Sequence, residues 1–455
     1  MNMARRQEPP KLSPGERVKN FKEVVGTYLP HQAIAEAARC LFCHDAPCNK
    51  NCPAGIDVAG FIRRIRGKDF RSAIRIIKEN NFLPGICARV CPVEELCEKA
   101  CSSTELTEPI NISALQRFVS DLKTEKEVKP PEKASPTGKK VAVIGSGPAG
   151  IAAAAELSKR GHEVTIFEAK EVLGGTLVYG IPPYRLPKDV AGWEIKRISD
   201  LGVKIKVNKP IRKIKGLFDE GFDAIFIGTG MMKSISLNIP GEDLKGVYLG
   251  FELLERVSKA ALGEGELPSL SGKRVAVIGG GDVAIDAARC GLRLGAKDVI
   301  LVYRRTQEEM PAHVSEVNAA KEEGVKFRFL SAPIKILGDE GRVIGLECIR
   351  MELGPKDETG RRRPIPIPGS EFRLDVDVVI EAIGQAIDEK FIQDNPDIKI
   401  SGGRIVVDEK GMTSSPGVFA GGDVVNGGAT VVQAIAEGKR AAEGINNYLN
   451  SLNRG

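Results

Sequence analysis

The segment VAVIGSGPAG, residues 141–150, decides how the chain is read. A short β-branched run ends in glycine and gives way to a helix-forming stretch, PAGIAAAAELSKRG, before a second run, EVTIFEA, at 163–169. The glycines Gly145, Gly147 and Gly150 permit a tight turn and let the backbone approach a pyrophosphate, whose charge the helix N-terminus stabilises. Glu168 closes the second run 23 residues after Gly145, where an acid accepts hydrogen bonds from ribose hydroxyls. A glycine fingerprint alone is weak evidence; with strand, helix and acid in place it specifies a dinucleotide site.

The same unit recurs about 134 residues later: RVAVIGGG at 274–281, then DVAIDAARCGLRLG, then DVILVYRR at 298–305. Gly279, Gly281, Asp282 and Ala284 form its turn, with alanine as the permitted third small residue. No acid stands at the tip of its second strand, which ends Tyr303-Arg304-Arg305. An arginine there accommodates a 2′-phosphate, so Arg304 and Arg305 favour NADPH over NADH; otherwise they lie on a solvated loop. The first turn is assigned FAD. Asp423, in Ala420-Gly-Gly-Asp423 after another strand, is placed to bind a ribityl or pyrophosphate-linked hydroxyl, or else to cap a helix. The helix beginning at Ala429-Thr430-Val431 offers backbone N–H groups to the pyrimidine edge of a reduced flavin.

Outside these units the composition is ordinary. The chain has 455 residues, 42% apolar and 28% charged, enough for two to four domains at roughly 100–200 residues each. Lys and Arg (66) barely exceed Asp and Glu (60), with the signs interspersed, which gives no nucleic-acid footprint over the chain as a whole. No apolar run reaches the roughly 18 residues of a membrane span. The basic start, MNMARRQEPPKLSPGE, has no apolar core behind it and is not a signal peptide, so a cytoplasmic location is expected. The four histidines form no His-x-x-x-His pair, against zinc hydrolase chemistry.

Eight of the ten cysteines fall between Cys40 and Cys101. The spacing is Cys40-x2-Cys43-x4-Cys48-x3-Cys52-Pro, then Cys87-x3-Cys91-Pro-x4-Cys97-x3-Cys101. In a reducing compartment such density reads as metal binding, and Cys-Pro steps closing short runs are ferredoxin-like. Because the fourth Cys of a run can serve the other cluster, Cys40, Cys43, Cys48 and Cys101 are expected to hold one [4Fe–4S] cubane and Cys52, Cys91 and Cys97 the second. Structural zinc is the rival reading. Cys290 reads as a small core residue, and Cys348 has no evident role.

Together the two cysteine runs, GSGPAG, GGDVA, YRR followed by EEMPA, and AGGD followed by GGATVVQA resemble the glutamate synthase small-subunit family. That family also takes in the large subunit of NADH-dependent ferredoxin:NADP oxidoreductase and part of dihydropyrimidine dehydrogenase. The resemblance implies an α/β fold: an N-terminal α-helical domain with two [4Fe–4S] clusters, then two Rossmann-like domains for FAD and NADPH. The spans would be 1–121 for the iron–sulfur domain, 122–140 for a Lys-, Glu- and Pro-rich linker, 141–250 for FAD, 251–375 for NADPH, and 376–455 for a return to the FAD domain. It also implies Gln116 as the fourth ligand of the second cluster, although by spacing alone Cys87 is the obvious choice. Gly174, Gly175 and Arg185 match its flavin-side turns, and Gly384 a glycine near the nicotinamide.

The implied function is that of an NADPH-oxidising electron-transfer subunit. Hydride passes to FAD, and single electrons pass through two clusters to a partner subunit. No catalytic side chain is expected, since hydride transfer needs only alignment. The bifurcating and pyrimidine-reducing members are the alternatives. No stretch remains for a substrate-converting barrel, so a partner chain would hold that site, with ferredoxin a further candidate acceptor.

Overall fold

A computed structural model describes residues 5–122, 132–357 and 360–452. Residues 123–131 of the expected linker lie outside the described residues, and 132–139 form neither helix nor strand.

The N-terminal region is helical, and side-chain caps set its helix starts. Asp57, Asp69 and Asn111 accept hydrogen bonds from the backbone N–H groups of Gly60, Ser72 and Ala114, opening the helices Val58–Arg66, Phe70–Asn80 and Ile112–Asp121. Each turns one apolar stripe inward, as with Phe61, Ile62 and Ile65 on the first. These side chains are continuous with the core of the next domain, in which Val141, Ala153 and Ile435 are buried. The iron–sulfur region is therefore packed on the sheet that follows it.

That sheet is five-stranded and parallel, in the order Val418–Ala420, Ala224–Ile227, Lys140–Ile144, Glu163–Phe167, Lys204–Lys206. A second parallel sheet repeats it: Val247–Leu249, Val378–Glu381, Arg274–Ile278, Asp298–Val302, Lys326–Arg328. In each, the strand entering the glycine turn is central, so the turn opens at the carboxyl ends of the strands, where open α/β sheets bind ligands.

The strand Val378–Glu381 pairs with Arg274–Ile278 and Val247–Leu249. It belongs to the second sheet, so the expected return to the first domain at 376 comes too early. Val247–Leu249, expected before the boundary at 250, also lies in the second sheet. Pairing partners are non-local, and a buried strand pattern does not say which sheet it joins. An antiparallel sheet spanning Ser331–Leu374, unforeseen in the sequence, is inserted before that last strand. The two chain crossings between domains run side by side, Lys233–Ser234 pairing with Gln385–Ala386.

Candidate functional site

The two glycine turns have the same local logic. Gly145 and Gly279 have φ of +95° and +145°, and a Cβ at either would lie 2.5 or 2.2 Å from a backbone oxygen of the neighbouring strand's loop. By contrast, a Cβ at Gly147 would meet nothing within 4 Å, and one at Gly281 only a proline carbon at 3.9 Å. The first glycine of each motif serves the turn; the second faces open space of the kind a pyrophosphate fills.

At the first turn Glu168 Oε2 accepts hydrogen bonds from Ser146 N (3.0 Å) and Ser146 Oγ (2.5 Å), while Oε1 accepts one from Lys170 N (2.9 Å). Ser146 Oγ in turn accepts from Gly174 N at 2.9 Å. The predicted acid, the glycine turn and the Gly174-Gly175 turn are thus tied into one cradle.

A cleft of about 880 Å³ lies between the two domains, within the range of small-molecule sites. It gathers Gly279, Gly281, Asp282, Arg304, Arg305 and Gly384 from the second domain with Arg185, Asp423 and Thr430 from the flavin side. Ser234 Oγ, Gln385 Nε2 and Glu381 Oε1 are buried at its wall without hydrogen-bond partners among the described residues. Such orphaned groups, with the open glycine faces, fit a cleft shaped for polar ligands. Sequence reasoning missed Glu381, whose carboxyl burial pushes up to about 7, because it stands inside an apolar strand with no motif around it. Arg361, also on the cleft, was missed because it comes from a loop of the inserted segment, just before the strand Arg362–Pro366.

Several predicted residues already have partners. Arg305 donates to Arg362 O and to Asp357 Oδ2, each at 2.7 Å, whereas Arg304 is exposed at the cleft. Arg185 pairs with Asp286 at 2.7 Å and Glu316 at 3.4 Å, joining the flavin-side loop to the second domain. Burial raises the Asp286 carboxyl to about 6 despite Arg185. Asp282 holds His313 Nδ1 at 2.8 Å, which pushes the imidazole pKa up. Asp423 Oδ1 accepts from Ala429 N at 3.2 Å, and Thr430 with Gln433 caps the helix Val431–Leu452.

In the helical region Cys40, Cys43, Cys48 and Cys101 line one apolar pocket with Ala59 and Ile62. Burial pushes the Cys48 thiol up to about 12, with Cys40 and Cys101 adding to the shift. Cys91 is raised by burial and then by Cys87, Cys97 and Cys52, which places Cys87 with the second trio. Gln116 Nε2 donates to Pro84 O at 2.7 Å, and its Oε1 accepts no hydrogen bond among the described residues. Among those residues no three Cys, His, Asp or Glu side chains converge on the scale of a single metal ion. Two groups of buried and half-buried thiols suit a polynuclear iron–sulfur cluster, whose cationic irons offset the cost of withdrawing thiolates from water.

Comparison with known proteins agrees with this geometry. Residues 17–128 match the family described as dihydropyrimidine dehydrogenase domain II, 4Fe-4S cluster, and residues 139–438 match pyridine nucleotide-disulphide oxidoreductase. The glutamate synthase [NADPH] small chain of Escherichia coli is 36% identical over 98% of this chain and 97% of its own. The chain belongs to the glutamate synthase small-chain family. Iron–sulfur, flavin and pyridine-nucleotide binding are family properties of its domains. The β subunit of the NADP(+)-dependent formate dehydrogenase of Moorella thermoacetica is 42% identical over 89% of this chain, which spans 60% of that subunit's length. FprA of Mycobacterium tuberculosis in complex with NADPH shares the fold, with a TM-score of 0.58 at 20% identity over 70% of this chain and 86% of its own. These relatives include subunits of multi-subunit enzymes, and among the described residues of this chain no helix is long and apolar enough to cross a membrane.

Proposed function

We propose that this chain is the NADPH-oxidising, electron-input subunit of a larger complex and delivers electrons singly to a partner subunit. The observation that carries this reading is the continuity of three sites: a nucleotide cleft, a flavin cradle whose Gly174-Gly175 turn leads directly into Thr176 on the cleft wall, and two thiol groups packed on the flavin domain. When bound, FAD supplies exchange between two-electron and one-electron chemistry, and the cubanes supply one-electron conduction.

The chain's own residues bind and align. Gly279, Gly281, Asp282 and Ala284 receive the pyridine-nucleotide pyrophosphate at a helix N-terminus, with Arg304 on the 2′-phosphate and Arg305 as its support. Gly384 borders the nicotinamide. Gly145, Gly147, Gly150 and Glu168 receive the flavin nucleotide with Gly174 and Gly175, and Asp423 and Thr430 shape the floor beside the flavin ring. Arg185 fixes the angle between the domains. No side chain is assigned a proton-transfer role.

Cys40, Cys43, Cys48 and Cys101 hold the first cluster; Cys52, Cys91 and Cys97 with Gln116 hold the second. The family resemblance carries that choice, and Gln116 lies against the helix that bears Cys87, its Nε2 donating to Pro84 O at 2.7 Å. Cys87 is the rival. Retention of iron in Cys87→Ala and its loss in Gln116→Ala supports Gln116; the reverse assigns Cys87.

The relatives belong to different NADP-linked enzymes, a glutamate synthase [NADPH] in one and an NADP(+)-dependent formate dehydrogenase in another. Reduction of a dye by NADPH in the isolated chain tests the input role, and the chain that co-purifies identifies the output. A preparation without flavin or acid-labile sulfide would refute the proposal.

A further inference from the structure

Residues 57–80, the two helices with the Asp57 cap, carry seven Lys and Arg against three acids, Asp57, Asp69 and Glu79, a formal charge of +4. The helices Val58–Arg66 and Phe70–Asn80 bury their apolar stripes, so Arg63, Arg64, Arg66, Arg71 and Arg75 are all exposed. Asp69 caps the second helix through Ser72 N at 3.1 Å and stands 3.9 Å from Arg64. At the edge of this face Asp45 is matched by Lys50 at 2.5 Å.

The position of this charge gives it meaning. Arg63 and Arg66 both stack over the ring of Phe42, each 5.4 Å from its centroid. Phe42 precedes Cys43, and the helix that displays the arginines outward lines the first thiol pocket inward with Ala59 and Ile62. Two guanidinium groups are thus held in place by a cation–π contact directly over a loop of cluster thiols. Leu41, also on that pocket, is 47% exposed. Concentrated charge of one sign around a redox exit raises the on-rate of a partner of opposite sign.

We propose that this basic face is the docking surface for an acidic one-electron carrier protein, whose carboxylates meet Arg63, Arg66 and their neighbours. The proposal rests on the electron-output reading above and adds the chemistry of the partner. A protein fits better than a nucleic acid, because the half-exposed Phe42 ring is already engaged by Arg63 and Arg66 and makes a poor platform for base stacking.

The test uses the intact chain reconstituted with flavin and iron–sulfur clusters, and two protein acceptors: an acidic rubredoxin and a basic cytochrome c. NADPH-driven reduction of menadione, a small neutral quinone, monitors the flavin separately. The rate constant for rubredoxin is expected to fall at least tenfold between about 20 mM and about 0.5 M salt, and by a similar factor in Arg63→Glu/Arg66→Glu. Menadione reduction and iron content stay unchanged, and cytochrome c gains in the variant. The affinity for rubredoxin, measured by biolayer interferometry without NADPH, weakens in parallel. Loss of menadione reduction in the wild type would refute the electron-input reading itself. With menadione reduction intact, rubredoxin kinetics indifferent to salt in the wild type would overturn the docking proposal without reliance on any variant. Tighter binding to phosphatidylglycerol vesicles than to rubredoxin would also overturn it, assigning the face to a membrane surface.

Discussion

Arg304 and Arg305 illustrate how adjacent residues divide one task. Arg305 is buried and spends its guanidinium on Asp357 Oδ2 and Arg362 O, while Arg304 is exposed at the cleft. Arg304→Ala is therefore expected to raise KM for NADPH roughly 10- to 100-fold, the scale of one lost charge-assisted hydrogen bond, with little change for NADH. Arg305→Ala should instead lower stability by roughly 1–3 kcal/mol, read by denaturant unfolding. Equal effects of Arg304→Ala on both nucleotides would remove its role. Glu381 offers a pH test. Burial raises its carboxyl from 4.5 to about 7. Folded chain then holds a proton there that unfolded chain has released, so the group's favourable share of stability is present below 4.5 and lost as pH rises through about 7. Glu381→Gln, which keeps the shape without the charge, should match the wild type near pH 4.5 and exceed its Tm near pH 8, with nucleotide absent. A Tm difference constant across that range would show that the carboxyl does not titrate as described.

Among the elements, the short helix Pro84–Val90 is held from outside. Glu194, on the helix Lys188–Lys196 of the flavin domain, accepts hydrogen bonds from Gly85 N at 2.6 Å and Ile86 N at 2.8 Å. It does for this N-terminus what a local cap does elsewhere, on the helix that carries Cys87 and delivers Cys91. Glu194→Ala is expected to cost roughly 2 kcal/mol or more and to speed loss of iron to a chelator, with flavin content unchanged. Unaltered iron release would limit Glu194 to packing. The cysteine runs were legible in the sequence because ligand spacing is local, and so were the two glycine turns, where strand, turn and helix follow one another directly. Glu194 was not, because a capping residue 109 positions away leaves no local signal. The sheet membership of Val378–Glu381 and the basic face beside Phe42 were hidden for related reasons. One depends on non-local pairing, the other on a local charge excess that a chain-wide balance of 66 to 60 averages away.

Across the whole molecule, one helix joins the flavin side of the cleft to the iron–sulfur region. Val431–Leu452 begins beside Thr430 at the cleft, and one side chain further along, Lys439, donates from Nζ to Ala54 O and Asn80 O, each at 2.7 Å. Ala54 follows Cys52 by two residues, and Asn80 ends the helix Phe70–Asn80. A single ammonium thus fastens the Cys52 loop, proposed above to ligate the second cluster, to the flavin helix and places a positive charge near a thiolate that would become more electron-rich on reduction. Removing that charge should disfavour the reduced cluster. Lys439→Met is expected to lower the midpoint potential of the second cluster by tens of millivolts, for an interaction on the order of 1 kcal/mol, as read by redox titration with electron paramagnetic resonance. Flavin bleaching by NADPH in stopped flow should keep its wild-type rate, because no cleft residue has changed, while reduction of the cluster slows. Lys439→Arg, which retains the charge, should recover most of the potential even if the two carbonyl contacts are remade imperfectly. If Lys439→Met leaves the potential in place and slows only domain refolding, then Lys439 is a fastening between domains with no electrostatic part in the relay.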